Sequence, residues 1–346
     1  MNINELFDRP DQFLLAFEPP NGVFVEMDRD AYHQSIFCDG RIAPKSKEAA
    51  KVPLASLLDH NESENYDAPA ISYVFHIAHC GSTLLARALD VKSDNIVYRE
   101  PLTLRQLATE MSAMQFNATE DWHRRLRLAT RLLGRRYNKN GASIVKGNVP
   151  VNFIIPELLA ISADMPSIVL YFPLEHYLMA ILRSPNHRKW VANIVNEMQH
   201  AITRKAPLEK DMSVAQAAAS LWLAQIRNYH EAITANPNVV SLNAEDLFQS
   251  PEAVLRAAFD HLGQARSDAD IKATVESDLF TRYSKNPNAE FDNAARLARR
   301  EALRQEITPE LEEARTWITR ATADNPLPAH LANPIFGESP ELLMRA

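Results

Sequence analysis

The chain has 346 residues, 46% hydrophobic and 23% charged, which is long enough for one large domain with appendages and too apolar for global disorder. Its net charge of −7 argues against a general nucleic-acid binder, whose domains are usually basic. Two cysteines far apart in sequence, Cys38 and Cys80, make no disulfide framework and point to a reducing, cytoplasmic setting. The opening MNINELFDRPDQ carries acids where a signal peptide needs a basic end, and no apolar run approaches membrane-spanning length.

Residues 1–42 read as a small leading unit, with a strand over 22–27 and a short helix capped by Asp30 and running through His33 and Phe37. Residues 43–70, with three prolines and a polar cluster, read as a linker. From residue 71, short apolar runs alternate with helical patterns, the signature of βα units and a parallel sheet. Strands are expected at 72–77, 95–98, 143–146, 167–171 and 238–242. Helices are expected at 102–117, 119–136, 150–163, 174–183, 213–235 and 247–258, the last capped by Asp246 and followed by Gly263 as a C-cap. Beyond 264 no strand is expected. Two charged helices are read at 289–304 and 309–322, the second with Thr308 as N-cap, and a proline-punctuated arm follows from about 324. The fold class is therefore α/β, a three-layer αβα arrangement around a mostly parallel central sheet, with a small N-terminal extension and a helical C-terminal part. The expected division is 1–65 extension and linker, 66–325 α/β domain and 326–346 C-terminal arm.

The stretch 71–90, ISYVFHIAHCGSTLLARALD, organises the rest. It reads as a buried strand, a loop closed by Gly81 and the first turns of a helix. Such a loop aims backbone N–H groups and the positive end of a helix dipole at one spot, which suits a phosphate or sulfate. The plain alternative is an ordinary strand–turn–helix corner. The eight glycines, at 22, 40, 81, 134, 141, 147, 263 and 337, exclude both GxGxxG and GxxxxGK[ST] spacings. The usual support for dehydrogenase and nucleotide-kinase readings is thereby lost.

Ligands of open α/β sheets sit beyond the C-terminal strand ends. Those ends carry His79, Cys80, Gly81, Ser82 and Thr83; then Arg99 and Glu100; then Lys146, Gly147, Asn148 and Asn152; and finally Asn243, Glu245 and Asp246. Donors for an anion stand there with a carboxylate able to take a proton, a coherent group-transfer set. Glu100 could be that base, or an acid paired with Arg99 or Arg105. Asn148 and Asn152 could be turn and capping residues. His76 reads as a core histidine and Cys80 as a packed residue, and His76, His79 and Cys80 lack the spacing of a zinc site, so no metal is expected. The basic helix carrying Arg124, Arg125, Arg127, Arg131, Arg135 and Arg136 reads as a solvated face with acidic partners. Trp190 and Trp222 read as core.

HIAHCGSTLLARALD, followed by Arg99-Glu100-Pro101, resembles the sulfotransferase family. Ala219-Ser220-Leu221-Trp222, Ala244-Glu245-Asp246-Leu247 and Tyr283-Ser284-Lys285 are similar to later segments of bacterial members, so the resemblance spans roughly 71–290. It implies a P-loop-like α/β fold and 3'-phosphoadenosine 5'-phosphosulfate as donor. It further implies phosphosulfate binding by His79, Cys80, Gly81, Ser82 and Thr83, transfer assisted by His79, Glu100 and Lys146, and a hydroxyl-bearing acceptor. Arg87, one turn into the helix, would add charge. Two departures stand out. The basic loop position, usually Lys or Arg, is His79, a residue only partly protonated at neutral pH. The positions that usually bind the 3'-phosphate are Phe172 and Ala180. Arg183, His187, Arg188 and Lys189, with Lys285 in the C-terminal segment, are the substitutes; of these Arg183, Arg188 and Lys285 are the expected donor-binding residues. The alternatives are a non-catalytic descendant binding a nucleotide or a partner, and a phosphotransferase, which would need a loop lysine that is missing here.

Overall fold

The computed structural model describes residues 3–63, 68–283, 286–290 and 292–344. Eight strands precede the C-terminal part: β1 (Gln12–Glu18), β2 (Asn21–Glu26), β3 (Ala49–Pro53), β4 (Ile71–His76), β5 (Ile96–Arg99), β6 (Ser143–Lys146), β7 (Ser167–Tyr171) and β8 (Val239–Asn243). The last five form one sheet in the order β5-β6-β4-β7-β8. Pairing is parallel, with Ile71 opposite Ser143 and Val74 opposite Lys146 between β4 and β6, and Ile96 opposite Ser143 and Arg99 opposite Lys146 between β5 and β6. Every residue of β4, β5, β6 and β7 is buried, as expected of parallel strands covered on both faces.

The chain leaves β4 past β6 to reach the edge strand β5, returns to β6, and then passes β4 the other way to β7. The sense of travel therefore reverses around β4.

Two compact units divide the chain. One comprises residues 1–75, 83–167 and 259–265, the other residues 76–82, 168–258 and 266–346. In the first, β1, β2 and β3 make a separate antiparallel sheet. Residues 43–70, expected as a linker, thus contain β3 and the helix Leu54–Ser63, whose Leu54, Leu57 and Leu58 are buried. β1 was not expected, and the short helix of this region is Arg29–Gln34, capped by Asp28 rather than Asp30 and ending before Phe37. The basic helix Glu120–Leu133 does meet acids: Arg124 binds Asp59 and Glu62, Arg125 binds Glu110 and Asp121, and Arg127 binds Glu120. Arg125 and Arg135 depart from a solvated face: both are buried, and Arg135 donates to the carbonyls of Leu132, Leu6, Arg9 and Gln12.

In the second unit, β9 (Arg282–Tyr283) and β10 (Asn286–Glu290) pair antiparallel, where no strand was expected. The helix expected from 289 therefore begins at Asn293 and runs to Glu306, capped by Asp292. The next runs Thr308–Ala321 with Ile307, not Thr308, at the N-cap. After β8 the expected helix is two, Ala244–Gln249 and Pro251–His261, the first capped by Asn243 rather than Asp246, with Pro251 starting the second. Gly263, at φ +66, ends that second helix in the left-handed conformation glycine favours.

Arginines fasten the C-terminal helices within this unit. Arg296 and Arg300 both donate to Glu245, at 2.5 and 2.7 Å, and Arg304 and Arg315 both donate to Glu175. Arg296, Arg300 and Arg304 are four residues apart and share one helix face. Glu245 and Glu175 are only 5% and 4% exposed and lie in first helical turns, where the dipole favours a negative charge. Burial alone would raise the Glu245 carboxyl, but the hydrogen bond and charge of Arg296 and the charge of Arg300 hold it below its ordinary 4.5. Its contribution is thus complete above pH 4.5 and disappears as the pH falls through the lower folded-state value. His176 acts in the same direction at higher pH. Burial first, and then Arg300, push it from 6.5 to about 4, so the unfolded chain takes the proton first and stability declines from pH 6.5 towards 4.

Glu245→Gln is expected to cost about 3–5 kcal/mol, because it strands two arginines in a largely buried site; urea denaturation at pH 7 measures it. The melting temperature should fall between pH 6.5 and 4, and His176→Phe should flatten that decline. An unchanged slope in the variant would remove His176 as its source.

Candidate active site

The loop after β4 is built by the second unit up to Ser82. Ile77 N–H donates to the Leu170 carbonyl at 3.2 Å, which carries the line of β4 one residue further. His76 is buried with Nδ1 at 2.8 Å from the Ile77 carbonyl, a satisfied core histidine. The Cys80 thiol is also buried and donates to the Ile77 carbonyl at 3.0 Å, so it packs the base of the loop. Gly81 has φ +84, and a Cβ there would lie 2.7 Å from Cζ of Phe248. Only glycine fits both the backbone and the ring. The helix Ser82–Ala88 begins at the next residue. Thr83 is 1% exposed, and its hydroxyl is buried with no hydrogen-bond partner among the described residues. A buried hydroxyl left unspent is costly unless a ligand uses it.

His79 occupies the left-handed region at φ +60. Such a conformation in a non-glycine residue costs on the order of 1–3 kcal/mol and concentrates at functional positions. Its ring meets His187 at 4.4 Å and the edge of Trp190 at 6.1 Å. Trp190, expected in the core, is only half-buried and flanks this imidazole. Arg183 Nε donates to His187 Nε2 at 3.1 Å, and His187 Nδ1 lies 2.6 Å from the Ser184 hydroxyl. An arginine cannot accept, so Nε2 is the acceptor of that pair. Two of the expected basic substitutes, Arg183 and His187, thus come together at His79. Arg188 turns elsewhere, donating through both terminal nitrogens to Glu310. Phe172 is buried, and its carbonyl accepts from Trp222 Nε1 at 2.9 Å. Lys285 lies outside the described residues.

In the first unit, the parallel register that sets Arg99 opposite Lys146 brings the next residue, Glu100, onto the lysine. Glu100 N–H donates to the Lys146 carbonyl at 2.7 Å, and Lys146 Nζ donates to the Glu100 carboxylate. Lys146 is wholly buried, whereas the Glu100 side chain is 16% exposed. Glu100 has φ +58, the same strained region as His79. Lys146 is thus a partner that the sequence did not suggest for it. Arg99 donates to Asp90 at 3.0 Å and to the carbonyls of Tyr32, His33 and Ser35. Burial would raise the Asp90 carboxyl, but His33, Arg99 and Arg29 together hold it below the ordinary carboxylate range. Arg99 is consequently a structural clamp. Asn148 precedes the short 3-10 turn Val149–Phe153 without capping it, and its Oδ1 is buried with no partner among the described residues.

No family model matches the sequence, and no curated protein matches it. Three solved structures are similar to the chain. A sulfotransferase domain from the curacin biosynthetic pathway is 15% identical, with 62% of this chain and 80% of that one covered and a TM-score of 0.41. A sulfotransferase from Alicyclobacillus acidocaldarius is 13% identical over 75% of this chain and 99% of its own, with a TM-score of 0.35. A sulfotransferase from Mycobacterium avium is 11% identical over 75% and 80%, with a TM-score of 0.37. Identity and overlap at these levels say nothing of what this chain binds or transfers.

Among the described residues no group of three or more acidic, histidine or cysteine side chains could hold a metal ion, and no helix is long and apolar enough to cross a membrane. Sequence reasoning did not single out Phe248, which sits far along the chain. The bare Gly81 next to it was the only available sign of a close approach.

Gly81→Ala is expected to destabilise the protein by about 1–3 kcal/mol, through the strained φ and the clash with the ring. Adding Phe248→Leu should recover the steric part alone. Denaturation of both variants reads the split, and full additivity would show that Phe248 does not shape the loop.

Proposed function

We propose that the protein transfers a sulfuryl group from 3'-phosphoadenosine 5'-phosphosulfate to an acceptor hydroxyl. The observation that carries this reading is the Glu100–Lys146 pair: a wholly buried ammonium and a strained, part-exposed carboxylate at adjacent strand ends. Support also comes from the loop, where the hydroxyl of Thr83 is buried and unspent and Gly81 leaves the backbone bare. In this reading the loop 79–83 binds the phosphosulfate, with Ser82 and Thr83 as side-chain donors. Glu100 takes the acceptor's proton as its oxygen attacks sulfur. The sulfur–oxygen bond to the phosphate breaks, and its electron pair leaves on the adenosine bisphosphate. Lys146 and protonated His79 offset negative charge on the moving group; one such donor is typically worth about 3–4 kcal/mol of transition-state stabilisation. Arg183, with Lys285, is assigned to the 3'-phosphate in this reading, because Arg188 is engaged by Glu310 and Phe172 offers no cation. A module that binds the nucleotide without transferring is the second reading, favoured by that same buried Phe172.

The adenosine bisphosphate product is expected to raise the melting temperature; no shift at millimolar product in a folded sample would remove this donor. Glu100→Gln should lower transfer by about 10²–10⁴-fold while preserving product binding. His79→Lys should raise transfer. Inactivity of the wild type, Glu100→Gln and His79→Lys alike across an acceptor panel, with product still bound, would favour the binding module.

A further inference from the structure

The N-terminal segment 35–42 touches the Glu100–Lys146 pair at more points than an appendage would. Cys38 N–H donates to the Arg99 carbonyl at 2.6 Å, and Leu102 N–H donates to the Cys38 carbonyl at 3.2 Å. One residue of this segment therefore brackets Glu100 and Pro101 from both sides through its main chain. The Cys38 thiol takes no part as a nucleophile; burial pushes it up to about 11 and keeps it protonated. The neighbouring Phe37 is 8% exposed, and two cations approach its ring. The Arg41 guanidinium is 3.7 Å from its centroid and Lys146 Nζ is 5.7 Å away. Arg41 is held in turn by Asp39, and Arg99 anchors the start of the segment through the carbonyl of Ser35 and the residues before it through those of Tyr32 and His33.

We infer that Phe37 is a positioning residue for the Glu100–Lys146 pair, acting through the ring it offers Lys146 and the Cys38 bracket around Glu100. The inference rests on the reading of Glu100 as the base only for its catalytic consequence. The bracket works on the backbone: Glu100 is held at φ +58 by a bond on each side, Cys38 to Arg99 and Leu102 to Cys38, while its own N–H is fixed to Lys146. The ring works on the charge. An aromatic face attracts an ammonium most strongly where water is excluded, and Lys146 is wholly buried. Together they keep the lysine from withdrawing its partner's carboxylate into the sheet, so Glu100 stays part-exposed.

Amide exchange on the native protein tests the bracket. The amides of Cys38, Glu100 and Leu102 should exchange as one unit, within about tenfold of each other. Free exchange of Cys38 and Leu102 beside a protected Glu100 would overturn the inference. Phe37→Leu and Phe37→Tyr test the ring. With Leu, amine-reactive labelling of Lys146 is expected to quicken by about tenfold, and Glu100 exchange with it, while Tyr restores both. Wild-type labelling and exchange in Phe37→Leu would overturn it. Where transfer is measurable, Leu should lower kcat with little change in the donor KM, and Tyr should rescue it. An inactive protein leaves the labelling and exchange outcomes decisive, so failure here and failure of the sulfuryl-transfer reading are told apart.

Discussion

A lysine with no solvent exposure at the end of a central strand sets the terms for everything around it. Taking an ammonium out of water costs several kcal/mol, and the cost is offset only by a partner of opposite charge in good geometry. Lys146 has that partner in Glu100, delivered by the parallel register of β5 and β6. Glu100 meets the lysine from a left-handed conformation, and the chain then passes through Pro101 into the helix Leu102–Ala113. The strain is therefore held in place by strand pairing on one side and by the Cys38 bonds on the other. A buried ion pair is weak grounds for stability, since apolar residues of similar size often serve as well. Its position at the C-terminal end of the strand, with the carboxylate reaching solvent, is what the proposed transfer would use.

The second unit solves the same problem with the signs reversed. There the buried groups are the carboxylates of Glu175 and Glu245, each in a first helical turn and each answered by two arginines. Three of those four arginines come from one face of a single helix, Asn293–Glu306, which is fastened by charge because none of its described side chains is buried. The same helix touches the loop's support: Arg296 lies 4.3 Å above the Phe248 ring, Asn293 donates to the Phe248 carbonyl, and Phe248 fills the space that Gly81 leaves bare. A chain of contacts thus runs from a solvated helix to the loop that carries His79, entirely within one unit.

How much of this could be read beforehand follows from range of interaction. β4, β6 and β7 were legible because a buried parallel strand writes a continuous apolar run, and 143–146 and 167–171 fall where that run does. β3 was not, because Ala49–Pro53 alternates between exposed and half-buried residues and carries no apolar signature; β1 was missed as well, its register interrupted by a bulge between Leu14 and Ala16. Asp28 and Asp30 are chemically equal candidates for one cap, and only the backbone angle chooses between them. The contact of Glu100 with Lys146 was illegible for a different reason. It spans 46 residues and depends on a strand register that no local pattern encodes.

His79 shows the same limit from the other side. The sequence marks it as a histidine where related motifs carry a permanent cation, but says nothing of its surroundings. In the structure it rests against His187, which meets Arg183 through Nε2 and Ser184 through Nδ1. Neither that contact, across more than a hundred residues of chain, nor the left-handed backbone that fixes where the His79 ring is presented is written in the residue type.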